Sequence, residues 1–105
     1  METITSRQYL KIKELYPDYL SAVETLGKTI KKGGPIDEKI AQLVQLAAAA
    51  SIRSEGAVHS HTRRAINAGA QTEEIYHVIL LLTSTIGFPN VVAALSWADD
   101  VIENT

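Results

Sequence analysis

The residues best suited to chemistry lie in one short stretch, SEGAVHSHTRRAINAGA, at positions 54–70. Read as a helix, this stretch puts His61 on the same face as Val58, Ala65 and Ala68, so its imidazole points to the apolar side. Such an imidazole can act as a general acid or base, because its unperturbed pKa of about 6.5 lies near neutrality. The alternative is a buried structural histidine that hydrogen-bonds a backbone carbonyl.

Charged neighbours of His61 suggest recognition of an anion. The guanidinium groups of Arg53 and Arg64 match carboxylates in a bidentate fashion, although they can also belong to a solvated face. Glu55 stands near the helix start, where it favours the helix dipole or orients a histidine. No metal site is expected, because His59 and His61 diverge by about 160° around a helix and cannot hold one ion.

The elements that must position these residues are all helical. Proline and glycine interrupt the chain at Pro17, at Gly33 to Pro35, at Gly69 and at Gly87 with Pro89, and the segments between them have helical period. The pattern predicts an all-α protein of about six helices in a single domain, residues 1–105. A short helix passes through Tyr9, Leu10 and Ile12, and longer helices are predicted near 17–32, 37–52, 55–68, 72–86 and 89–103, with Asp37 and Thr72 as N-caps.

Composition excludes several classes of function. The chain has 105 residues, no cysteine and a net charge of −2. It therefore has no disulfide, thiolate metal site or cysteine nucleophile, and no charge excess that attracts nucleic acid. No apolar run approaches the roughly 20 residues of a membrane helix, and no secretory signal is visible. The sequence predicts a soluble, cytoplasmic protein with neither nucleic acid nor membrane as partner.

Two predicted helices are apolar on nearly every face. They contain IAQLVQLAAAASI and IYHVILLLTSTI. So small a monomer cannot bury that much apolar helix surface by itself. We therefore expect a homo-oligomer.

From Ile36 to Ile102 the chain resembles the carboxymuconolactone decarboxylase family. The matching segments are IDEKIAQLVQLAAAA, SEGAVHSHTRRAINAGAQTEEI and TSTIGFPNVVAALSWADDV. The resemblance implies an alkylhydroperoxidase D-like helical fold that assembles with itself, with a trimer of dimers as the expected form.

One branch of this family consists of peroxidases with a glutamate, a Cys-x-x-Cys pair and a histidine. His61 matches that histidine, whereas Ser54 and Ala57 occupy the cysteine positions and Gln42 occupies the glutamate position. A disulfide-cycling peroxidase needs a thiolate, so we expect no such activity. The resemblance also implies that Gln42 lies near His61, where an amide can hydrogen-bond the imidazole without taking its proton.

The cysteine-free branch, the decarboxylases proper, is the nearer match. The resemblance implies a lyase without cofactor that decarboxylates a small cyclic carboxylate, a lactone. His61 is then the proton donor in a small apolar cavity, with Gln42 and Glu55 as catalytic partners. Arg53 or Arg64 binds the anion. The alternatives are a catalytically silent oligomer of this family that binds a small molecule or a protein, and a peroxidase-related protein that relies on a partner's thiol.

Overall fold

The computed structural model describes residues 6–104, and all secondary structure in that range is helical. The predicted all-α class is therefore confirmed. Six helices have nine or more residues, and one has four. Their bounds are α1 Arg7–Leu15, α2 Pro17–Lys32, α3 Glu38–Ser51, α4 Glu55–Asn67, α5 Thr72–Leu80, α6 Thr83–Ile86 and α7 Phe88–Ile102.

Two compact units divide the chain between Asp37 and Glu38. The first contains α1 and α2. Ser6 caps α1 by accepting hydrogen bonds from the backbone of Gln8 and Tyr9. Tyr9 then donates to Glu24 of α2 at 2.7 Å. Pro17 begins α2 at a position where its missing N–H costs nothing.

The second unit, α3 to α7, contains a core of small and branched side chains. Leu46, Val58, Ile75, Ile79 and Val91 are completely buried there. Alanines at 49, 50, 65, 94 and 98 are 3% exposed or less and allow the helices to approach closely. This packing holds α3, α4 and α7 in place, and these helices, with the corner between α3 and α4, carry the side chains of the candidate site.

Two corners of this unit end their helices in the same way. After α4, Gly69 has φ +99, and the N–H of Ala70 reaches back to the Ala65 carbonyl at 2.9 Å. After α3, the N–H of Ser54 reaches the Ala49 carbonyl at 3.0 Å, and Arg53 takes the left-handed position with φ 57. Both are Schellman motifs, but the second puts an arginine where glycine is usual.

The predicted helix 72–86 is wrong as a single element. It breaks after Leu80, and α6 follows as one separate turn. The N–H of Leu82 bonds to the Ile79 carbonyl at 3.1 Å, which tightens the chain, and the Thr83 hydroxyl binds the Leu80 carbonyl at 2.7 Å. The predicted cap was also one residue late, since Gln71 is the N-cap and its N–H binds the Glu74 carboxylate.

None of the described helices is both long enough and apolar enough to cross a membrane.

Candidate functional site

His61 lies in the middle of α4, a helix with defined ends. Ser54 caps the start, where its Oγ accepts from the Ala57 N–H at 3.3 Å, and Gly69 follows the end. Val58 and Ala65, which share the face of His61, are completely buried, while His61 itself is half-buried. The imidazole therefore stands at the edge of the core, in partial contact with solvent.

A chain of three polar side chains connects α4 to the start of α3. His61 Nδ1 lies 2.9 Å from Gln42 Oε1, and Gln42 Nε2 donates to Glu38 Oε1 at 3.1 Å. Gln42 is completely buried, whereas Glu38 is exposed. The expected proximity of Gln42 and His61 is confirmed. Sequence reasoning missed Glu38, although its position four residues before Gln42 puts both on one face of α3.

The hydrogen bond with Gln42 determines which nitrogen of His61 carries the proton. An amide oxygen only accepts hydrogen bonds, so Nδ1 of His61 must be the donor. The neutral imidazole then has its lone pair on Nε2, and the imidazolium carries its second N–H there. In this arrangement, Nε2 is the ring nitrogen that gains or loses a proton between the charged and neutral forms of the imidazole.

Arg53 contacts α7. Its guanidinium donates to Asn90 Oδ1 and lies 5.9 Å from the centroid of the Trp97 ring. This distance is within the range of a cation–π contact. Asn90 also donates to the Ile86 carbonyl at 2.6 Å. Arg53 therefore connects the α3–α4 corner to α7, and its predicted role in anion binding stays a prediction.

Arg64 is exposed in the last turn of α4. It follows His61 by three positions, which on a helix places the two about 60° apart. Arg63, the next residue back, is half-buried, and burial together with the charge of Arg64 lowers the pKa of its guanidinium. The two arginines give this end of α4 a positive charge.

Glu55 is directed to His59. Its carboxylate lies 4.0 Å from His59 Nε2, and the Asp100 carboxylate of α7 lies 2.9 Å from the same nitrogen. Helical geometry puts Glu55 and His61 about 120° apart. The ligand atoms of Glu55, His59 and Asp100 all lie within 4.8 Å of one another, so within residues 6–104 these three could hold a metal ion. As they stand, His59 shares a hydrogen bond with Asp100 that joins α4 to α7 at a partly exposed site.

Three comparisons with known proteins each give a match over most of the chain. A family model described as the carboxymuconolactone decarboxylase family matches residues 17–100. An uncharacterized protein of Methanocaldococcus jannaschii is 33% identical over 84 residues, which cover 80% of this chain and 78% of that protein. The crystal structure of an apo carboxymuconolactone decarboxylase family protein from Legionella pneumophila superposes with a TM-score of 0.78 at 21% identity, and the match covers 91% of this chain and 86% of that chain.

Proposed function

Because the chain belongs to the carboxymuconolactone decarboxylase family, we propose that it is a cofactor-free lyase that decarboxylates a small cyclic carboxylate, with His61 as the proton donor. The observation that carries this proposal is the 2.9 Å contact between His61 Nδ1 and Gln42 Oε1. This contact keeps a proton on Nδ1 and leaves Nε2 as the nitrogen that gains and loses the second proton.

The proposed reaction uses three groups: the His61 imidazole, water and the carbonyl of the substrate. The bond between the ring carbon and the carboxylate breaks, carbon dioxide leaves, and the electron pair delocalises into the lactone carbonyl as an enolate. His61, as imidazolium, then donates its Nε2 proton to the carbon and recovers a proton from water. A general acid placed in this way contributes about 10² to 10⁴ in rate. The carbonyl of the substrate serves as the electron sink.

A positive charge near His61 is needed to hold the substrate's carboxylate. Arg64 is the better placed candidate, because it lies on the same side of α4 and its side chain is exposed. The guanidinium of Arg53 already contacts Asn90 and Trp97. If Arg53 binds the substrate's carboxylate, it does so while it also holds the α3–α4 corner against α7. Glu55, paired with His59, would act on α4 rather than on the substrate.

The test is carbon dioxide release from carboxylated γ-lactones by the purified protein, with His61→Ala and His77→Ala compared. His77 is exposed on α5 and serves as the matched control. We expect His61→Ala to lower kcat/KM by about 100-fold or more, while His77→Ala leaves it unchanged. A His61→Ala protein that turns over the lactone at the wild-type rate would contradict the proposal.

A second candidate function is a silent member of the family that binds a small molecule. Gln42 favours it, because an amide cannot take a proton from His61 as a carboxylate can. In that case no lactone loses carbon dioxide, yet His61→Ala weakens ligand binding while the protein stays folded. A thiol-dependent peroxidase is disfavoured, because Ser54 and Ala57 stand at the redox positions and Ser54 caps α4. We expect no hydroperoxide turnover with a dithiol donor above that of His61→Ala.

Assembly and location belong to the same proposal. We expect the chain to assemble with itself as a trimer of dimers and to act in the cytoplasm on a small-molecule substrate.

A further inference from the structure

Glu38 decides which end of the Gln42 amide faces His61. A carboxamide has one end that donates and one that accepts, and either end can point at an imidazole. A carboxylate only accepts, so Glu38 takes the NH₂ end, and the oxygen is left for His61. We propose that Glu38 is a positioning residue that, through Gln42, fixes His61 as the Nδ1–H tautomer.

Burial makes the choice strict. Gln42 is completely buried, so either end of its amide would lose a hydrogen bond if it were turned toward an unsuitable partner. In the observed orientation the NH₂ group meets Glu38 at 3.1 Å and the oxygen meets His61 at 2.9 Å. The reverse orientation would put the amide oxygen against the carboxylate, where both atoms accept and neither donates.

The consequence concerns the reacting nitrogen. With the amide reversed, its NH₂ group would donate to Nδ1, and the neutral imidazole would carry its proton on Nε2 instead. The lone pair would then point at Gln42 and away from any substrate. The Glu38 carboxylate, acting through Gln42, therefore keeps the lone pair on Nε2, the nitrogen that the proposed reaction uses.

Glu38 also has an ordinary structural role, from which the proposed one must be separated. It is the first residue of α3, where a negative charge stabilises a helix through its dipole. Glu73 offers a matched control, because it stands in the first turn of α5 and favours that helix in the same way. A purely structural role of Glu38 would affect folding and leave the His61 tautomer unchanged.

The role of Glu38 rests on the proposed function, since the tautomer matters only where His61 does chemistry. The tautomer itself can be read without any substrate, so failure of one proposal is distinguishable from failure of the other. Long-range ¹H–¹⁵N spectra at about pH 9, well above the unperturbed imidazole pKa of about 6.5, give the protonation of each ring nitrogen. Comparison with His61→Ala assigns the signals.

We expect the wild-type protein to show Nδ1 of His61 protonated and Nε2 unprotonated. In Glu38→Gln and Glu38→Ala the two nitrogen signals should move toward each other, as the second tautomer grows from a minor to a comparable population. Glu73→Gln should match the wild type. Adding Gln42→Glu to Glu38→Gln should restore the wild-type pattern, because a carboxylate next to Nδ1 only accepts.

Two results would overturn the role of Glu38. One is a wild-type spectrum with the proton on Nε2, which needs no variant to be observed. The other is an unchanged His61 tautomer in a folded Glu38→Gln or Glu38→Ala protein, as judged by circular dichroism.

Discussion

Two glutamines on α3 lie in opposite hydrogen-bonding situations. Gln42 connects His61 and Glu38 through both ends of its amide. Three residues later, the carbonyl oxygen of Gln45 is buried without a hydrogen-bond partner among residues 6–104. The same side chain is therefore expected to contribute to stability at one position and to reduce it at the other.

Leucine is close to glutamine in size and tests this difference. Gln42→Leu should lower the free energy of unfolding by about 1–3 kcal/mol, because the His61 N–H and the Glu38 carboxylate lose their shared partner. Gln45→Leu should leave it unchanged or raise it, because a buried oxygen without a partner is removed. Urea denaturation of both variants measures the difference. Equal losses of unfolding free energy in the two variants would show that the hydrogen bonds of Gln42 to Glu38 and His61 add no stability.

At the scale of elements, the corner between α3 and α4 has an unusual composition. Arg53 adopts φ 57, a conformation that disfavours any side chain with a Cβ, while its guanidinium contacts Asn90 and Trp97 of α7. Backbone strain and side-chain contact therefore oppose each other at one residue.

Two substitutions of Arg53 separate these effects. Arg53→Ala loses the contacts and keeps the strain, so it should be the less stable variant. Arg53→Gly loses the contacts and relieves the strain, and it should be more stable than Arg53→Ala by about 1 kcal/mol. Thermal or urea unfolding of the pair gives the comparison. If the alanine variant proves the more stable of the two, the left-handed backbone at residue 53 carries no strain.

A second connection between elements is sensitive to alkaline pH. Tyr76 of α5 donates to Asp99 of α7, and this hydrogen bond, assisted by burial and by the charges of Asp99 and Glu103, raises the pKa of Tyr76 above its usual 10.0. The folded state thus keeps a proton that the unfolded chain releases near pH 10. The stability from this bond is present below pH 10 and is lost as the pH rises from there through the higher pKa of the folded state.

Tyr76→Phe should remove this dependence. The wild-type free energy of unfolding should fall between about pH 9 and about pH 11 more steeply than that of the variant. Tyr19→Phe, at an exposed position on α2, serves as the control and should retain the wild-type slope. If the free energy of unfolding has the same pH dependence in wild type and Tyr76→Phe, the hydrogen bond from Tyr76 to Asp99 contributes no net stability over hydrogen bonds to water.

Most of the helix bounds were predictable, because proline, glycine and capping residues act locally. The predicted 17–32 is found without change, and 55–68 and 89–103 differ by one residue at one or both ends. The break at Leu81 was not predictable, since the apolar period continues through it.

In the site, the pairing of Gln42 with His61 followed from the family resemblance. The contacts of Arg53 with Asn90 and Trp97 join residues distant in sequence, and no local pattern indicates them.

For the whole molecule, apolar side chains at the surface predict self-association. Ile40 and Val44 of α3 are 41% and 60% exposed, and Phe88 and Val92 of α7 are 68% and 45% exposed. Each pair is four residues apart and so forms a stripe on its helix. Exposed stripes of this kind are typical of surfaces that bind another protein surface.

Light scattering on the purified protein should give a multiple of the 11.4 kDa chain mass, and six copies are expected. Val44→Glu should shift the protein to a smaller species, because a charge would be buried in the contact. Glu73→Lys, which changes the surface charge outside the stripes, should not. A monomer mass for the wild type at micromolar concentration would refute self-association.

The contact of Arg53 with Trp97 also makes the protein its own optical reporter. Trp97 is the single tryptophan of the chain, and the guanidinium lies 5.9 Å from its ring centre. A cation at that distance perturbs the electrons of the indole ring. Ultraviolet emission excited at the tryptophan band therefore comes from one place, next to the corner from which the His61 helix begins. Opening of that corner should change the wavelength or intensity of the Trp97 fluorescence, which needs no added dye or label.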